Sequence, residues 1–198
     1  MSDDPRPRLI IASHNSGKIR EFQAVLGHRW QVCPQADLNV GDVEETGSTF
    51  VENALIKARH ACARTRCTAL ADDSGLVVPA LGGAPGLLSA RYSGGDDEAN
   101  NALLLKNMAT FEAEDRAAFY VAVLVLLEHA DDPTPLIAEG RWYGRIATAP
   151  RGTDGFGYDP LFVADGYEQH AAELSAAEKN RVSHRGMAVQ QLLQQLAT

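Results

Sequence analysis

The chain has 198 residues, 45% of them hydrophobic, which is enough for one sizeable domain with its own core. A formal charge of −8 excludes a general nucleic-acid binder, which needs a basic surface to neutralise phosphates. Three cysteines without CxxC spacing exclude a disulfide framework, argue against a zinc site and read as thiols in a reducing compartment.

In chain order, residues 1–7 read as a disordered tail and residues 8–198 as a single domain. The opening MSDDPRPR lacks the apolar core of a signal peptide, and the longest apolar run, Phe119 to Leu127, is about half of a membrane span. A soluble, cytoplasmic protein with no membrane partner is the expectation. Leu9 to Ala12 reads as a short buried strand, followed by the polar run Ser13-His14-Asn15-Ser16-Gly17-Lys18. Lys18 to Leu26 has helical spacing, with Phe22, Val25 and Leu26 on its apolar face and Gly27 as a stop. The strand WQVCP and an acidic loop lead to a helix whose start is marked by Thr49-x-x-Glu52, a capping box, and whose stripe is Phe50, Ala54, Ala58 and Ala61.

TALADDSGLVVPAL reads as two strand pieces with a polar interruption, and GGAPGLLSARYSGG is too rich in glycine and proline for regular structure. A helix near Glu98 to Met108 follows, then AAFYVAVLVLLEHA, whose β-branched content marks a strand buried on both faces. The Asp131-Asp132-Pro133 turn returns the chain into LIAEGRWYGRIATA as a long hairpin. RGTDGFGYDPLFV is a glycine-rich loop with a short strand. Ser175-x-x-Glu178 caps a first turn, and Ser183 to Leu196 is the last helix. Strands and helices mix without regular βαβ alternation, so the fold expected is α/β: a mixed sheet with flanking helices.

Four clusters invite chemistry. The loop Ser13–Lys18 leaves backbone N–H groups at a helix N-terminus, where the macrodipole favours an anion, and Lys18 adds a full charge. It matches the P-loop poorly, and a helix start with a capping serine and a solvent lysine is the alternative. Glu44-Glu45 and Asp72-Asp73 suit a hard divalent ion such as Mg²⁺, although Asp-Asp-Ser-Gly is also ordinary turn chemistry. GFGYDP sets Phe156 and Tyr158 among glycines, where a ring either stacks on a flat ligand or plugs a hole beneath the loop. EKNRVSHRG gathers Lys179, Arg181, His184 and Arg185 at a helix start, against the dipole, so these cations need an anion or carboxylate partner.

Together, SHNSGKIRE, TGSTFVENALIKA, ADDSGLVVPALGGAPGLLSARYSG, GFGYDPLF and EKNRVSHRGMA closely resemble the inosine/xanthosine triphosphate pyrophosphatase family. The resemblance runs in order over nearly the whole chain; EANNALLLKN and the tail lie outside it. It implies an elongated mixed sheet forming two α/β lobes around a nucleotide cleft, in a homodimer. It also implies Mg²⁺-dependent cleavage of deaminated purine triphosphates (ITP, dITP, XTP) to the monophosphate and pyrophosphate, which keeps such bases out of DNA and RNA. Matched residue by residue, Ser13, His14, Asn15, Ser16, Gly17 and Lys18 resemble the triphosphate loop, and Lys57 a second phosphate lysine. Glu44 and Asp73 are similar to the metal-associated carboxylates, with Asp73 also the general base. Ser74, Phe156, Gly157, Tyr158, Asp159, Lys179, His184 and Arg185 resemble the remaining substrate contacts.

Two rivals stay open on the residues. A nucleotide sensor that holds a triphosphate without cutting it would need the loop and the basic cluster but not Glu44 and Asp73. A pyrophosphatase for another pool, a modified pyrimidine or an ordinary triphosphate, would use the same parts.

Overall fold

The structure is a computed structural model that describes residues 5–197. The first four positions of the tail expected over residues 1–7 therefore lie outside the described residues. Arg6 donates to the Gly27 carbonyl, and the Gln31 N–H donates to the Pro7 carbonyl at 2.9 Å.

Six strands and five α-helices follow one another as β1 (Arg8–Ile11), α1 (Ser16–Leu26), β2 (Gln31–Pro34), α2 (Phe50–Thr65), β3 (Thr68–Val77), α3 (Asp97–Asn107), β4 (Ala117–Leu127), β5 (Leu136–Ile146), β6 (Phe162–Ala164), α4 (Ala176–Val182) and α5 (His184–Leu196) among the described residues. The sheet order is β2-β1-β3-β4-β5-β6. β1 runs parallel to β2 and β3, whereas β6 runs antiparallel to β5, so the sheet is mixed, as its lack of βαβ alternation predicts. The chain divides into two compact units: residues up to Asp73 with Val123–Ala138, and Ser74–Ala122 with residues from Glu139 onward. No helix among the described residues is long and apolar enough to cross a membrane.

In the first unit, α2 packs on β1 and α1 on β2. Ala54, Ala58 and Ala61 are fully buried, the small face of α2 that lets a helix lie close to a sheet, while Phe50 at its head is only half-buried. Its capping box forms: the Thr49 hydroxyl accepts from the Glu52 N–H at 3.3 Å, and the Glu52 carboxylate accepts from the Ser48 N–H at 2.7 Å. Gly27 ends α1 with an ordinary right-handed φ of −63°, so the stop does not use a left-handed glycine.

The second unit is built around Trp142, Phe162, Tyr120, Tyr158, Leu104 and Met108. Each fully buried Leu or Phe of this kind contributes about 1.5–3 kcal/mol. β5 alternates without exception: Ala138, Gly140, Trp142, Gly144 and Ile146 are buried and the residues between them point outward. Gly140 is required by packing, because a Cβ there would stand 2.0 Å from the His184 carbonyl oxygen. That close approach sets the first turn of α5 directly on the strand.

Two expectations need correcting. β3 is one continuous strand through Asp72 and Asp73, because lysines satisfy their carboxylates and no turn is needed. GGAPGLLSARYSGG is not structureless: Gly86–Arg91 forms 3₁₀ turns, in which the Ser89 hydroxyl donates to the Gly86 carbonyl at 2.6 Å and accepts from the Leu76 N–H at 2.9 Å. The cap at Ser175 and the last helix from Ser183 form as expected, as α4 and α5, with Ser175 and Ser183 as their N-caps.

Glu178 of α4 accepts from Arg181 at 2.7 Å and from the Tyr167 hydroxyl at 2.5 Å; Arg181 first and Tyr167 second hold its carboxyl down to about 2. The depressed folded value means that these contacts stabilise fully above the ordinary glutamate value of 4.5 and are lost as pH falls toward about 2. Glu178→Gln is expected to flatten the fall of melting temperature with pH across that window; an unchanged acid slope would contradict the assignment.

Candidate active site

The loop from Ser13 to Lys18 is shaped by its own side chains. Asn15 is the N-cap of α1, and its Oδ1 accepts from the Gly17 N–H at 2.9 Å and the Lys18 N–H at 3.1 Å. Ser13 Oγ accepts from the Asn15 N–H at 3.1 Å. The cap is thus asparagine rather than serine, and it already occupies two of the N–H groups that the sequence leaves open for an anion. The exposed His14 reaches Asp42 at 2.9 Å, on the acidic loop.

Lys18 and Lys57 both converge on β3. The Lys18 ammonium lies 2.6 Å from Asp72, whose side chain is fully buried. Lys57 lies 2.7 Å from Asp73 Oδ1, 2.9 Å from the Asp72 carbonyl and 2.9 Å from Glu45. Side chains alternate along a strand, so the adjacent aspartates take one lysine each. Burial is the largest influence on Asp73 and raises its carboxyl above the ordinary aspartate value; the Lys57 ammonium opposes this and Glu45 adds to it. For Lys57 burial is again the largest single influence and works downward, but Asp73 and Glu45 together outweigh it and hold the ammonium above its usual value.

Glu45, not Glu44, is the carboxylate that reaches Lys57; Glu44 is exposed. Asp72 and Glu45 stand in the doubled acidic pairs read as suiting a divalent ion, but the family resemblance did not carry either of them into the site. Among the described residues no three His, Cys, Asp or Glu side chains gather around one point. Two carboxylates are nonetheless compatible with Mg²⁺, which takes one or two carboxylates and completes its shell with water and phosphate oxygens. An ammonium already bridges Glu45 and Asp73, two like charges that favour a cation between them.

The second unit carries the aromatic and basic residues. In the loop after β5, Phe156 is exposed and Tyr158 buried. The Tyr158 hydroxyl donates to the Ser89 carbonyl at 2.8 Å, so Tyr158 is the plug and Phe156 the ring available for stacking. Asp159 closes the turn on itself, accepting from the Phe156 N–H at 2.9 Å and pairing with Lys179. Gly155 has a left-handed φ of +81°, and a Cβ there would stand 2.2 Å from Asp159 Oδ2, so no other residue fits.

Lys179 lies 4.9 Å from the centroid of the Phe156 ring and Arg185 5.7 Å from it. Lys179 and Arg181 fall in the last turn of α4, where the dipole welcomes them; only His184 and Arg185 stand at a helix start. Both are buried, Arg185 donating to Ser74 Oγ at 3.3 Å and His184 stacking on Tyr120 at 4.7 Å between centroids. Ser74 follows Asp73 directly in β3.

Comparison with known proteins agrees over nearly the full chain. The sequence model of the Ham1 family matches residues 9–195. A protein named dITP/XTP pyrophosphatase from Xanthomonas campestris pv. campestris (strain 8004) is 56% identical over 191 residues, 95% of this chain and 96% of its own length. One of the same name from Thioalkalivibrio sulfidiphilus (strain HL-EbGR7) is 52% identical over 96% of this chain and 98% of its own. The solved structure of a HAM1 protein from Coxiella burnetii superposes with a TM-score of 0.91 at 46% identity, covering 96% of this chain and 98% of that one.

Proposed function

The chain belongs to the Ham1 family, and from that premise we infer that it is a dITP/XTP pyrophosphatase, cleaving ITP, dITP and XTP to the monophosphate and pyrophosphate. One geometric observation carries the chemistry: Lys18 and Lys57 pair with the adjacent strand residues Asp72 and Asp73, with Asp73 held above its ordinary value.

Ser13–Lys18 and Lys57 receive the triphosphate. The ammonium groups meet the negative charge that would otherwise repel attacking water, and they exchange carboxylate partners for phosphate oxygens as the substrate enters. Asp73 orients the water and accepts its proton, for which a raised carboxyl is the better base. Asp73 and the acidic loop, through Glu44 by resemblance and Glu45 by its position on Lys57, would hold Mg²⁺. When bound, that ion neutralises charge on the phosphate oxygens and on the leaving pyrophosphate.

The base is read by the residues around the exposed Phe156. Hypoxanthine and xanthine present an acceptor oxygen at position 6, whereas adenine presents an amino donor. The Arg185 guanidinium offers only donors and His184 can turn an N–H the same way, which pair with the oxygen and refuse the amino group. In these roles Ser74, Gly157, Tyr158, Asp159 and Lys179 position Phe156 and Arg185. A homodimer, for which the family resemblance is the support, working in the cytoplasm on free nucleotides rather than on nucleic acid completes this reading.

The test is a substrate panel of ITP, dITP, XTP, ATP, GTP and modified pyrimidine triphosphates, each with and without Mg²⁺. Turnover fastest on the deaminated purines and abolished by EDTA is the expected result. Binding without turnover would establish the sensor, and a fast modified pyrimidine would move the enzyme to another pool.

A further inference from the structure

Two residues of α3, outside every motif of the resemblance, hold the backbone on which Phe156 stands. Asp97 Oδ2 accepts from the Gly157 N–H at 2.7 Å, and Asn101 Nδ2 donates to the Gly157 carbonyl at 2.8 Å. Asp97 and Asn101 are four apart and so share one face of the helix. Asn101 Nδ2 also donates to the Asp97 carbonyl at 2.8 Å. Both atoms facing that end of Asn101 are carbonyl oxygens, which fixes the amide with its NH₂ group toward the loop.

The helix is itself anchored at this end. Asp96 caps it, accepting from the Ala99 N–H at 2.9 Å, and the buried Asn100 accepts from both the Ser93 N–H and the Ser93 hydroxyl at 2.8 Å. The neighbouring asparagines divide the work: Asn100 fastens α3 to the turn before it, and Asn101 reaches the aromatic loop. Gly157 has a left-handed φ of +62°, so the chain bends sharply between Phe156 and Tyr158. Asp159 and Lys179 close the turn around Phe156, and at the bend itself both backbone groups of Gly157 are taken by Asp97 and Asn101.

Resting on the activity inferred above, we propose that Asp97 and Asn101 are positioning residues for purine binding, setting the pose of Phe156 through both hydrogen-bonding groups of the Gly157 residue. A ring held ready before the base arrives spares the ordering cost that a loose loop would incur on binding. The interaction holds the base equally before and during bond cleavage, so its loss falls on KM and not on kcat.

Asn101→Asp is the sharpest test. It keeps shape and volume but replaces the donor with a carboxylate facing two carbonyls. The expected result is a KM for ITP raised about tenfold, a kcat within about twofold of wild type, and faster amide exchange at Phe156 and Gly157. A wild-type KM, or a loss that falls on kcat, overturns the proposal. Should that variant fail to fold, Asp97→Ala replaces it, with Asp97→Asn as the conservative partner that still accepts from the Gly157 N–H. A raised KM in the first and near-normal KM in the second supports the clamp; equal values in both overturn it. Failure of the wild-type protein to cleave ITP in the same assay would refute the activity instead, and the exchange rates would still report whether the clamp exists.

Discussion

Asp73→Asn is expected to leave the protein folded and to lower kcat for ITP by about 10²–10⁴. The asparagine keeps an Oδ1 that can accept from Lys57, now 2.7 Å from the aspartate, and it keeps the strand hydrogen bonds of β3. It removes the one oxygen able to take a proton from water. The carboxyl it replaces is raised by burial first, against the pull of Lys57, which makes it a stronger base than an exposed aspartate. Single-turnover rates at saturating ITP with Mg²⁺, beside a melting curve, make the measurement. Near-normal turnover in a folded Asp73→Asn protein would remove Asp73 from the mechanism.

Arg185→Ala is expected to narrow the preference for ITP over ATP by about 10–10²-fold, chiefly by slowing ITP. Arg185 is buried at the first turn of α5, with its guanidinium close to the exposed Phe156 ring. A donor that pairs with the 6-oxo group and would be left unpaired against adenine's amino group discriminates by about 1–3 kcal/mol. Removing it takes away both the attraction for one base and the penalty on the other. The comparison is kcat/KM for the two nucleotides in both proteins. An unchanged ratio would sever Arg185 from base recognition, whatever happened to the absolute rates.

Much of the architecture was legible because local chemistry and tertiary structure agree. β4 is buried along nearly its whole length, as its apolar, β-branched run requires, and β5 alternates with a period of two. Thr49 and Glu52 cap α2 where the capping pattern puts them. Where reading by pattern failed, the deciding partner lay far along the chain. Asp72-Asp73-Ser74-Gly75 looks like a turn, yet Lys18, 54 residues away, satisfies Asp72, and the strand runs through. Glu45 rather than Glu44 meets Lys57 because the acidic loop has no periodicity that would orient either side chain.

The aromatic loop shows the same limit. Composition could not separate Phe156 from Tyr158, and only the contact of Tyr158 with Ser89, 69 residues earlier, makes one a plug and leaves the other exposed. The basic run from Lys179 to Arg185 looked like one opposed helix start. A break at Ser183 divides it into two helices and leaves Lys179 and Arg181 at a C-terminus, where their charge is favourable. Asn100-Asn101 carried no motif, and their opposite duties follow only from the helical offset between adjacent residues.

The most direct measurement is identification of the products of ITP and ATP, incubated side by side with the purified protein and Mg²⁺. Inosine monophosphate with an equal amount of pyrophosphate, formed far faster than any product of ATP, is the predicted result. Release of single phosphate, or equal rates on the two nucleotides, would contradict pyrophosphate-releasing cleavage that selects the 6-oxo purine.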